Sequence, residues 1–223
     1  FDNINIYDSN RGIGIFQRQK GDMQNMIFSN IIISTRLHSG QWWGHGEPIH
    51  ISSVPGLGSK ETGTISHVRF SNIIASSESG ILIYASAAGL INDISFDNIN
   101  LSIKQSPLAA GYGGNFDLRP TNDISLGIFK HTIPALYATY VANLAIRNMN
   151  VFWANGLPVY FTHAVECENF ENLTVDGLHE NLTGHNNKEA ATIYLNNGKT
   201  SYVKGVTSSE KTKKLVLKDG VNE

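Results

Sequence analysis

The stretch Phe70-Ser71-Asn72-Ile73, F-S-N-I, decides the fold because its pattern returns along the whole chain. Its close copies are Phe1–Ile4, Phe28–Ile31 and Phe96–Ile99, and its looser copies are Ile146–Met149 and Phe170–Leu173. The asparagines of successive copies are 27, 42, 26, 50 and 24 residues apart. The short spacings define a unit of about 25 residues, and the long spacings indicate the same unit with insertions.

Each unit also contains a second short apolar run. These runs are Gly12–Phe16, Pro48–Ser52, Gly80–Tyr84, Leu136–Tyr140, His163–Glu166 and Ala191–Leu195. Runs of about five residues rich in Ile, Val and Phe, bounded by Gly, Asn and Ser, are typical of short strands. No segment keeps an apolar period of 3.6 residues, so we expect very little helix.

Two or three short strands per repeated unit predict an all-β fold, a parallel β-helix in which each coil stacks on the next. The Phe and Ile of each copy should then form inward stacks along the axis. The Asn should lie at a turn, where its side chain can bond to the Asn of the neighbouring coil. A β-sandwich is the alternative, but it does not require Asn at one fixed place in every unit.

The chain is interpreted as one domain over residues 1–223, with stacked coils over residues 1–198. Insertions at 34–47 and 105–134 leave this scaffold, and loops on one face of a solenoid usually build its binding cleft. Residues 199–223 are predicted to be a final coil or cap, with a last strand near Lys214–Lys218.

The pattern is already under way at Phe1, so we expect coils before it. A solenoid cut at that point exposes apolar side chains and unpaired strand edges. We therefore expect this chain alone to associate unless another polypeptide covers that end.

The composition excludes several function classes. The 223 residues include 17 basic and 19 acidic ones, a net charge of −2, so nothing favours nucleic acid or an anionic membrane as a partner. The single cysteine, Cys167, excludes an internal disulfide and a Cys-rich metal site. His163, His179 and His185 fit no zinc motif, and no metal or other cofactor is predicted.

Two segments resemble the later coils of bacterial glycoside hydrolase family 28, the polygalacturonase-like enzymes, and a third is similar to the C-terminal coils of uncharacterised bacterial members. They are SNRGIGIFQRQKGDMQNMIFSNIIISTRLHSGQWWGHGEPIHISSVP at 9–55, ISHVRFSNIIASSESGILIY at 65–84 and GGNFDLRPTNDISLGIFKHTIPALYATYVANLAIRNMNVFW at 113–153. The most specific element is the signature WWGxGEPIxIS. The resemblance covers residues 1–180.

The resemblance implies a right-handed parallel β-helix with an open cleft. It also implies inverting hydrolysis of pectic polysaccharide or oligosaccharide, at galacturonide or rhamnose-type linkages, by a secreted or periplasmic bacterial enzyme. Inversion requires two carboxyl groups roughly 6.5–9.5 Å apart.

The family's acids come from N-T-D, D-D and G-H-G segments, which all precede the coil that matches residues 11–18. No N-T-D or D-D occurs here, and Gly44-His45-Gly46 follows that coil. The catalytic residues are therefore unknown in this chain and are expected upstream of residue 1. The alternative is a non-catalytic carbohydrate-binding, adhesin-like or tailspike-like β-helix.

The R-I-K motif by which pectin-cleaving members hold galacturonate is altered. Its positions are Gly14 and Phe16 here, and Arg18 follows in the same strand parity. We expect Arg18 to reach the cleft, and the change makes a neutral sugar such as rhamnose a candidate substrate.

The loop before the Pro48–Ser52 run supplies three further candidates for substrate binding, and the run itself supplies a fourth. Trp42 and Trp43 should point to opposite sides, and we assign Trp42 to the cleft. His45 is a candidate hydrogen-bonding group, and Glu47 either contacts the ligand or anchors the loop by accepting backbone N–H groups. His50 alternates with two isoleucines and should therefore face away from the core.

The second insertion adds Arg119, which either binds the ligand or pairs with Asp117 to brace the loop. If the chain were catalytic alone, Asp117 and Asp123 would be the acid and base. Near the end of the solenoid, Glu166, Glu168 and Glu171 are interpreted as a solvated edge.

Overall fold

The structure is a computed structural model, which describes residues 1–40, 43–182, 190–210 and 214–222. Over these residues the chain forms two seven-stranded parallel sheets. The long-strand sheet consists of β1 (Asp2–Ser9), β3 (Asp22–Thr35), β5 (Thr64–Ser77), β7 (Ile91–Ile103), β11 (Val141–Trp153), β13 (Glu171–Leu182) and β15 (Lys199–Ser208). The short-strand sheet consists of β2 (Arg11–Gln17), β4 (Glu47–Ser53), β6 (Ile81–Ala85), β10 (Leu136–Thr139), β12 (Val165–Glu168), β14 (Ile193–Asn196) and β16 (Val216–Asp219).

Strands of the two sheets alternate along the sequence, and each strand lies beside its equivalent in the neighbouring unit. All six predicted apolar runs contribute strands to the short-strand sheet, and the run near Lys214–Lys218 contributes β16. The prediction missed β15, whose sequence is too polar to suggest a strand. The all-β prediction is therefore confirmed for the part of the chain that the structure describes.

Residues 104–135 between β7 and β10 form the large insertion. It contains α1 (Ala109–Tyr112), β8 (Asn115–Asp117), α2 (Ile124–Gly127) and β9 (Ile128–Lys130), with β8 and β9 paired antiparallel. Two smaller loops flank β4: the loop between β3 and β4, described over residues 36–40 and 43–46, and residues 54–63. Among the described helices, none is long and apolar enough to cross a membrane.

The aromatic stack predicted from the repeat is present in the core. The ring of Phe28 stacks on Phe1 and Phe70, with centroids 4.7 and 5.1 Å apart, and Phe70 stacks on Phe96 at 4.8 Å. The isoleucine that follows each Asn forms a second row, Ile31, Ile73 and Ile99, because the parallel register places it beside its equivalent. Phe70, Phe96 and all three isoleucines are at most 1% exposed.

The repeated asparagines lie inside the long strands, not between strands as expected. Asn30, Asn72, Asn98 and Asn148 have φ angles from 50 to 57°, a left-handed conformation that bends the strand. The first three form the predicted ladder, since Asn98 Nδ2 donates to Asn72 Oδ1 at 2.8 Å and Asn72 Nδ2 to Asn30 Oδ1 at 3.1 Å. Asn148 Nδ2 donates instead to Asp97 Oδ1 at 3.0 Å. Asparagine combines tolerance of this conformation with an amide that reaches the next unit.

Two substitutions of Asn72 separate the contribution of the left-handed backbone conformation from that of the amide hydrogen bonds. Asn72→Ala loses both amide bonds and places a Cβ in the left-handed region, so we expect a free energy of unfolding lower by roughly 2–3 kcal/mol. Asn72→Gly loses only the bonds and should cost about 1 kcal/mol. Gly177 on β13 lies opposite Asn148 and has φ 76°, so the native chain already uses glycine at an equivalent bend. Equal urea-denaturation losses for both variants would contradict a role for backbone conformation.

Candidate functional site

The outer face of the short-strand sheet carries most of the residues predicted to form a site. In β4, Ile49 and Ile51 point into the core, so His50 and Ser52 point outward, as strand parity predicts. Residues 104–135 cover this face, and every residue of β4 is buried. His50 therefore lies beneath the insertion and has no exposed surface for a ligand.

Arg18 connects β2 to the insertion instead of lining an open cleft. Its Nε donates to Pro120 O at 2.8 Å, and one terminal nitrogen donates to Gln17 O and Ser52 O. The other terminal nitrogen donates to Ser52 Oγ at 2.8 Å and to Leu118 O at 3.0 Å. All five guanidinium N–H groups thus have protein acceptors, and Arg18 holds the insertion against the sheet.

The Ser52 hydroxyl continues this network to His50. Because Ser52 Oγ accepts from Arg18, the hydroxyl proton of Ser52 is available to His50 Nε2, 2.8 Å away. His50 Nδ1 lies 4.0 Å from Glu47 Oε1. Burial, with the charges of Arg11 and Arg18, holds the pKa of His50 well below its usual range, so the imidazole is neutral. This order of Ser, His and Glu resembles a nucleophilic triad, but all three residues are 0% exposed.

Glu47 anchors the end of the loop between β3 and β4 from inside. Its Oε2 accepts the His45 backbone N–H at 2.7 Å and lies 3.4 Å from Arg11 Nε. Glu47 is completely buried and His45 is only 9% exposed. Neither lies at the surface, where the sequence analysis expected them as candidates for substrate binding. This geometry agrees with the second of the two expectations for Glu47, that it anchors the loop by accepting a backbone N–H group. Trp42, the other candidate of this loop, lies outside the described residues.

Asp117 connects the two loops that were predicted to build the cleft. Its carboxylate accepts from Arg119 Nε and a terminal Arg119 nitrogen at 2.9 and 2.8 Å, and from the Gly44 backbone N–H at 2.9 Å. Burial alone would raise the pKa of Asp117, but these bonds and the charge of Arg11 lower it. Arg119 and Asp117 therefore brace the insertion. Asp117 is fully buried, and Asp123 accepts Ser125 N–H at the start of α2.

A cleft of about 430 Å³ lies above this network. Its lining comes from all three loops around β4: Trp43, Leu57, Arg119, Pro120, Thr121, Gly127 and Ile128. Trp43 is 62% exposed and Leu57 72% exposed, so the cleft presents apolar surface to solvent. The Trp43 backbone is held by Asn10, whose Nδ2 donates to Trp43 O at 2.9 Å. The cleft thus combines an aromatic ring, apolar walls and one charged side chain on braced loops.

A second group lies further along the same face, on β12. Val165 and Cys167 point into the core, so Glu166 and Glu168 both point outward. Glu171 is exposed, as the sequence analysis expected, but Glu166 is only 5% exposed. The alternation in Val165–Glu168 could have revealed that these two carboxyl groups share the outer face.

The two glutamates have different surroundings. Glu168 Oε2 accepts from the Tyr137 hydroxyl at 2.8 Å, and its Oε1 accepts from Asn196 Nδ2 at 3.4 Å. Glu166 Oε2 is buried without a hydrogen-bond partner, and its Oε1 lies 4.0 Å from His131 Nε2. Burial and the charge of Glu168 raise the pKa of Glu166 to about 8. The two neighbouring glutamates therefore differ, because Glu166 is buried with a raised pKa and Glu168 has a hydrogen-bond donor on each oxygen.

Comparison with known proteins gives no match to any family model, any curated protein or any solved structure. Among the described residues, no three His, Cys, Asp or Glu side chains are grouped as potential metal ligands. Functional assignment therefore depends on the two features of the outer face, the Trp43 cleft and the Glu166–Glu168 pair.

Replacing Arg18 tests whether it holds the insertion. Arg18→Lys keeps a charge but offers three donors without the planar fork, leaving carbonyls of the insertion unpaired. We expect the free energy of unfolding to fall by roughly 2–3 kcal/mol and proteolysis to begin within residues 104–135. The control is Arg69→Lys, whose ion pair with Asp93 is partly exposed to solvent, and it should cost less than about 1 kcal/mol. Equal losses would contradict the bracing role.

Glu166 should make the protein less stable as pH rises. Its pKa is higher in the folded chain, about 8, than the ordinary 4.5, so the folded state binds the proton more tightly. Stability is therefore complete below about pH 4.5 and falls as pH rises toward 8, by at most about 1.4 kcal/mol per pH unit. Glu166→Gln should flatten this dependence in thermal denaturation, whereas Glu171→Gln should leave it unchanged. An unchanged slope in Glu166→Gln would contradict the raised pKa.

Proposed function

We propose that the two parallel sheets are faces of a right-handed parallel β-helix. The chain alternates between the sheets, so each connection between neighbouring parallel strands of one sheet passes through the other. Such crossovers are right-handed in about 98% of cases. Rows of Phe, Ile and Asn with a constant register support stacked coils.

We further propose that the outer face of the short-strand sheet binds carbohydrate. The observation that carries this proposal is the exposed Trp43 ring at a cleft with Leu57 and Ile128. A pyranose ring has an apolar face of C–H groups, which packs on an indole, and a rim of hydroxyl groups, which stays hydrated. A wide aromatic surface on braced loops suits such a ligand because little conformational entropy is lost on binding.

The proposed ligands are pectic, a class that the sequence resemblance suggests. Within that class, the ion pair with Asp117 offsets the charge of Arg119. Arg18, which follows the altered clamp positions in the same strand parity, has all its donors bonded within the protein. Both features favour a neutral rhamnose-type residue over galacturonate at this cleft.

The activity we propose is glycoside hydrolysis with inversion, as in the polygalacturonase-like enzymes, at a secreted or periplasmic location. The alternative is carbohydrate binding without turnover, which the absence of the N-T-D and D-D segments from the sequence favours. Release of reducing ends from a saccharide that the chain binds distinguishes the two.

Binding should depend on Trp43. Polygalacturonate, rhamnogalacturonan and oligosaccharides of both are immobilised, and retention of the purified chain is measured. We expect Trp43→Ala to weaken binding at least about tenfold, since it removes the main apolar surface of the cleft. Tyr7→Ala is the matched control, because Tyr7 is an 86% exposed aromatic residue on β1, in the other sheet. Equal retention of both variants would contradict this site, and no retention of the wild type would contradict the function.

A further inference from the structure

A second open hollow, the corner pocket, lies where the chain passes from the short-strand sheet to the long-strand sheet. It has a volume of about 250 Å³, and its lining includes Gly89, Tyr140, Asn169, Asn197, Lys199 and Asn222. We propose that the corner pocket binds one neutral sugar residue of an oligosaccharide that also occupies the Trp43 cleft. This inference rests on the proposed carbohydrate function and adds a second binding site to it.

The unequal lengths of the connections between the sheets create the hollow. Five residues, 86–90, connect β6 to β7, whereas Tyr140 alone connects β10 to β11. The connections from β12 to β13 and from β14 to β15 have two residues each. The longest connection supplies Ala88 and Gly89 as one wall of the pocket. Asn222 lies at the opposite end, where its backbone N–H donates to Gly198 O at 2.8 Å.

The backbone around the pocket is held in a defined shape. Asn169 and Asn197 have φ angles of 50 and 47°, and Asn197 Nδ2 donates to Asn169 Oδ1 at 2.5 Å. A Cβ at Gly198 would lie 2.2 Å from the ring of Phe170, so the close packing of this connection on the ring requires glycine. Phe170 is 3% exposed and forms part of the floor. A rigid hollow of this kind loses little conformational entropy when a ligand binds.

Tyr140 is the unusual residue of this corner. Its φ angle is 53°, the left-handed conformation that Asn169 and Asn197 adopt at the equivalent position of the next two units. Asparagine tolerates this conformation, whereas a bulky aromatic residue rarely adopts it. Residues held in such strained conformations are concentrated at ligand-binding and active sites. The phenol ring is therefore the side chain of the pocket that is least explained by the fold and best suited to contact a sugar.

The polar groups of the pocket match a neutral ligand that carries hydroxyl groups. The amides of Asn169, Asn197 and Asn222 each contain a donor and an acceptor, as a hydroxyl group does. Glu171 and Lys199 are register partners on adjacent strands, so their opposite charges compensate each other. A charged ligand therefore gains little at this site.

The size of the pocket and its access to solvent agree with one sugar residue. Its volume of about 250 Å³ lies below the roughly 300–1,000 Å³ of pockets that enclose a drug-sized ligand. Glu171, Asn197, Lys199 and Asn222 at its rim are all exposed. A sugar residue can therefore enter while the rest of its chain continues over the surface.

The position of the pocket sets the length of the ligand. Leu57 of the Trp43 cleft follows β4, and Asn169 follows β12, at the same edge of the short-strand sheet. The order β4-β6-β10-β12 separates them by three strand spacings, roughly 14 Å at about 4.8 Å per strand. One sugar residue cannot occupy both sites, whereas an oligosaccharide of several residues along this edge can. Joining two sites in this way raises affinity without any new contact.

An NMR titration separates the two sites. Rhamnogalacturonan oligosaccharides of increasing length are added to the isotopically labelled wild-type chain and to Trp43→Ala. We expect the backbone amide signals of Asn169, Asn197 and Gly198 to change in both proteins. The affinity of the wild type should rise at least about tenfold once the oligosaccharide spans both sites, and Trp43→Ala should lack this rise.

Two substitutions in the pocket test its contacts. Asn222→Ala removes one exposed amide and should weaken binding at the corner about two- to tenfold. Asn5→Ala is the matched control, because Asn5 is also exposed and lies on β1, and neither asparagine has a left-handed backbone. Tyr140→Asn supplies the residue type that this backbone conformation favours, so the chain should still fold while binding at the corner falls at least about tenfold.

The outcomes distinguish the corner pocket from the proposed function. Changes at Trp43 and Leu57 without changes at the corner would overturn the corner pocket and leave the proposed function intact. Undiminished binding by both Asn222→Ala and Tyr140→Asn would overturn it as well. Changes at the corner alone would support the pocket and contradict the Trp43 cleft, and no change at either site would overturn both.

Discussion

The left-handed bend inside each long strand is the constraint on which the other features depend. At Asn30, Asn72 and Asn98 the backbone adopts φ near 55°, and the amide of each side chain bonds to the equivalent residue of the adjacent unit. The bend sets the direction in which the chain returns toward the other sheet. The ladder fixes the register, because a shift of one residue would break every amide bond and reverse every inward side chain.

This register has different consequences in the core and on the outer face of the short-strand sheet. In the core it stacks Phe on Phe and Ile on Ile, which buries apolar surface in every unit. On the outer face of the short-strand sheet it aligns polar residues that no core contact requires, including His50 and Glu166. A buried polar network there is costly unless its members are bonded, and Arg18 and Asp117 supply many of those bonds. The scaffold thus holds loops in place without contributing side chains to the cleft.

The repeat made the secondary structure predictable from the sequence, since the Phe-x-Asn pattern recurs along the chain and the apolar runs have the length of strands. The candidate site could be predicted from the sequence only in part. Arg18, His50 and Glu47 have the parity of outward residues, but parity does not show that an insertion more than 50 residues later in the chain covers them. Glu166 was missed for a related reason, because a glutamate between Val165 and Cys167 resembles a solvated residue until its burial is known. Contacts between distant segments decide both cases, and no local pattern encodes them.

The most direct test of the carbohydrate-binding account is a two-dimensional NMR titration of the isotopically labelled chain with a pectic oligosaccharide. The account predicts that the chemical shifts of the Trp43 indole N–H and of the Leu57 and Ile128 methyl groups change as the oligosaccharide is added. The indole of Trp153 should remain unchanged, since it is buried and bonded to Glu180. Shifts confined to the long-strand sheet, or no shifts at all, would contradict the account.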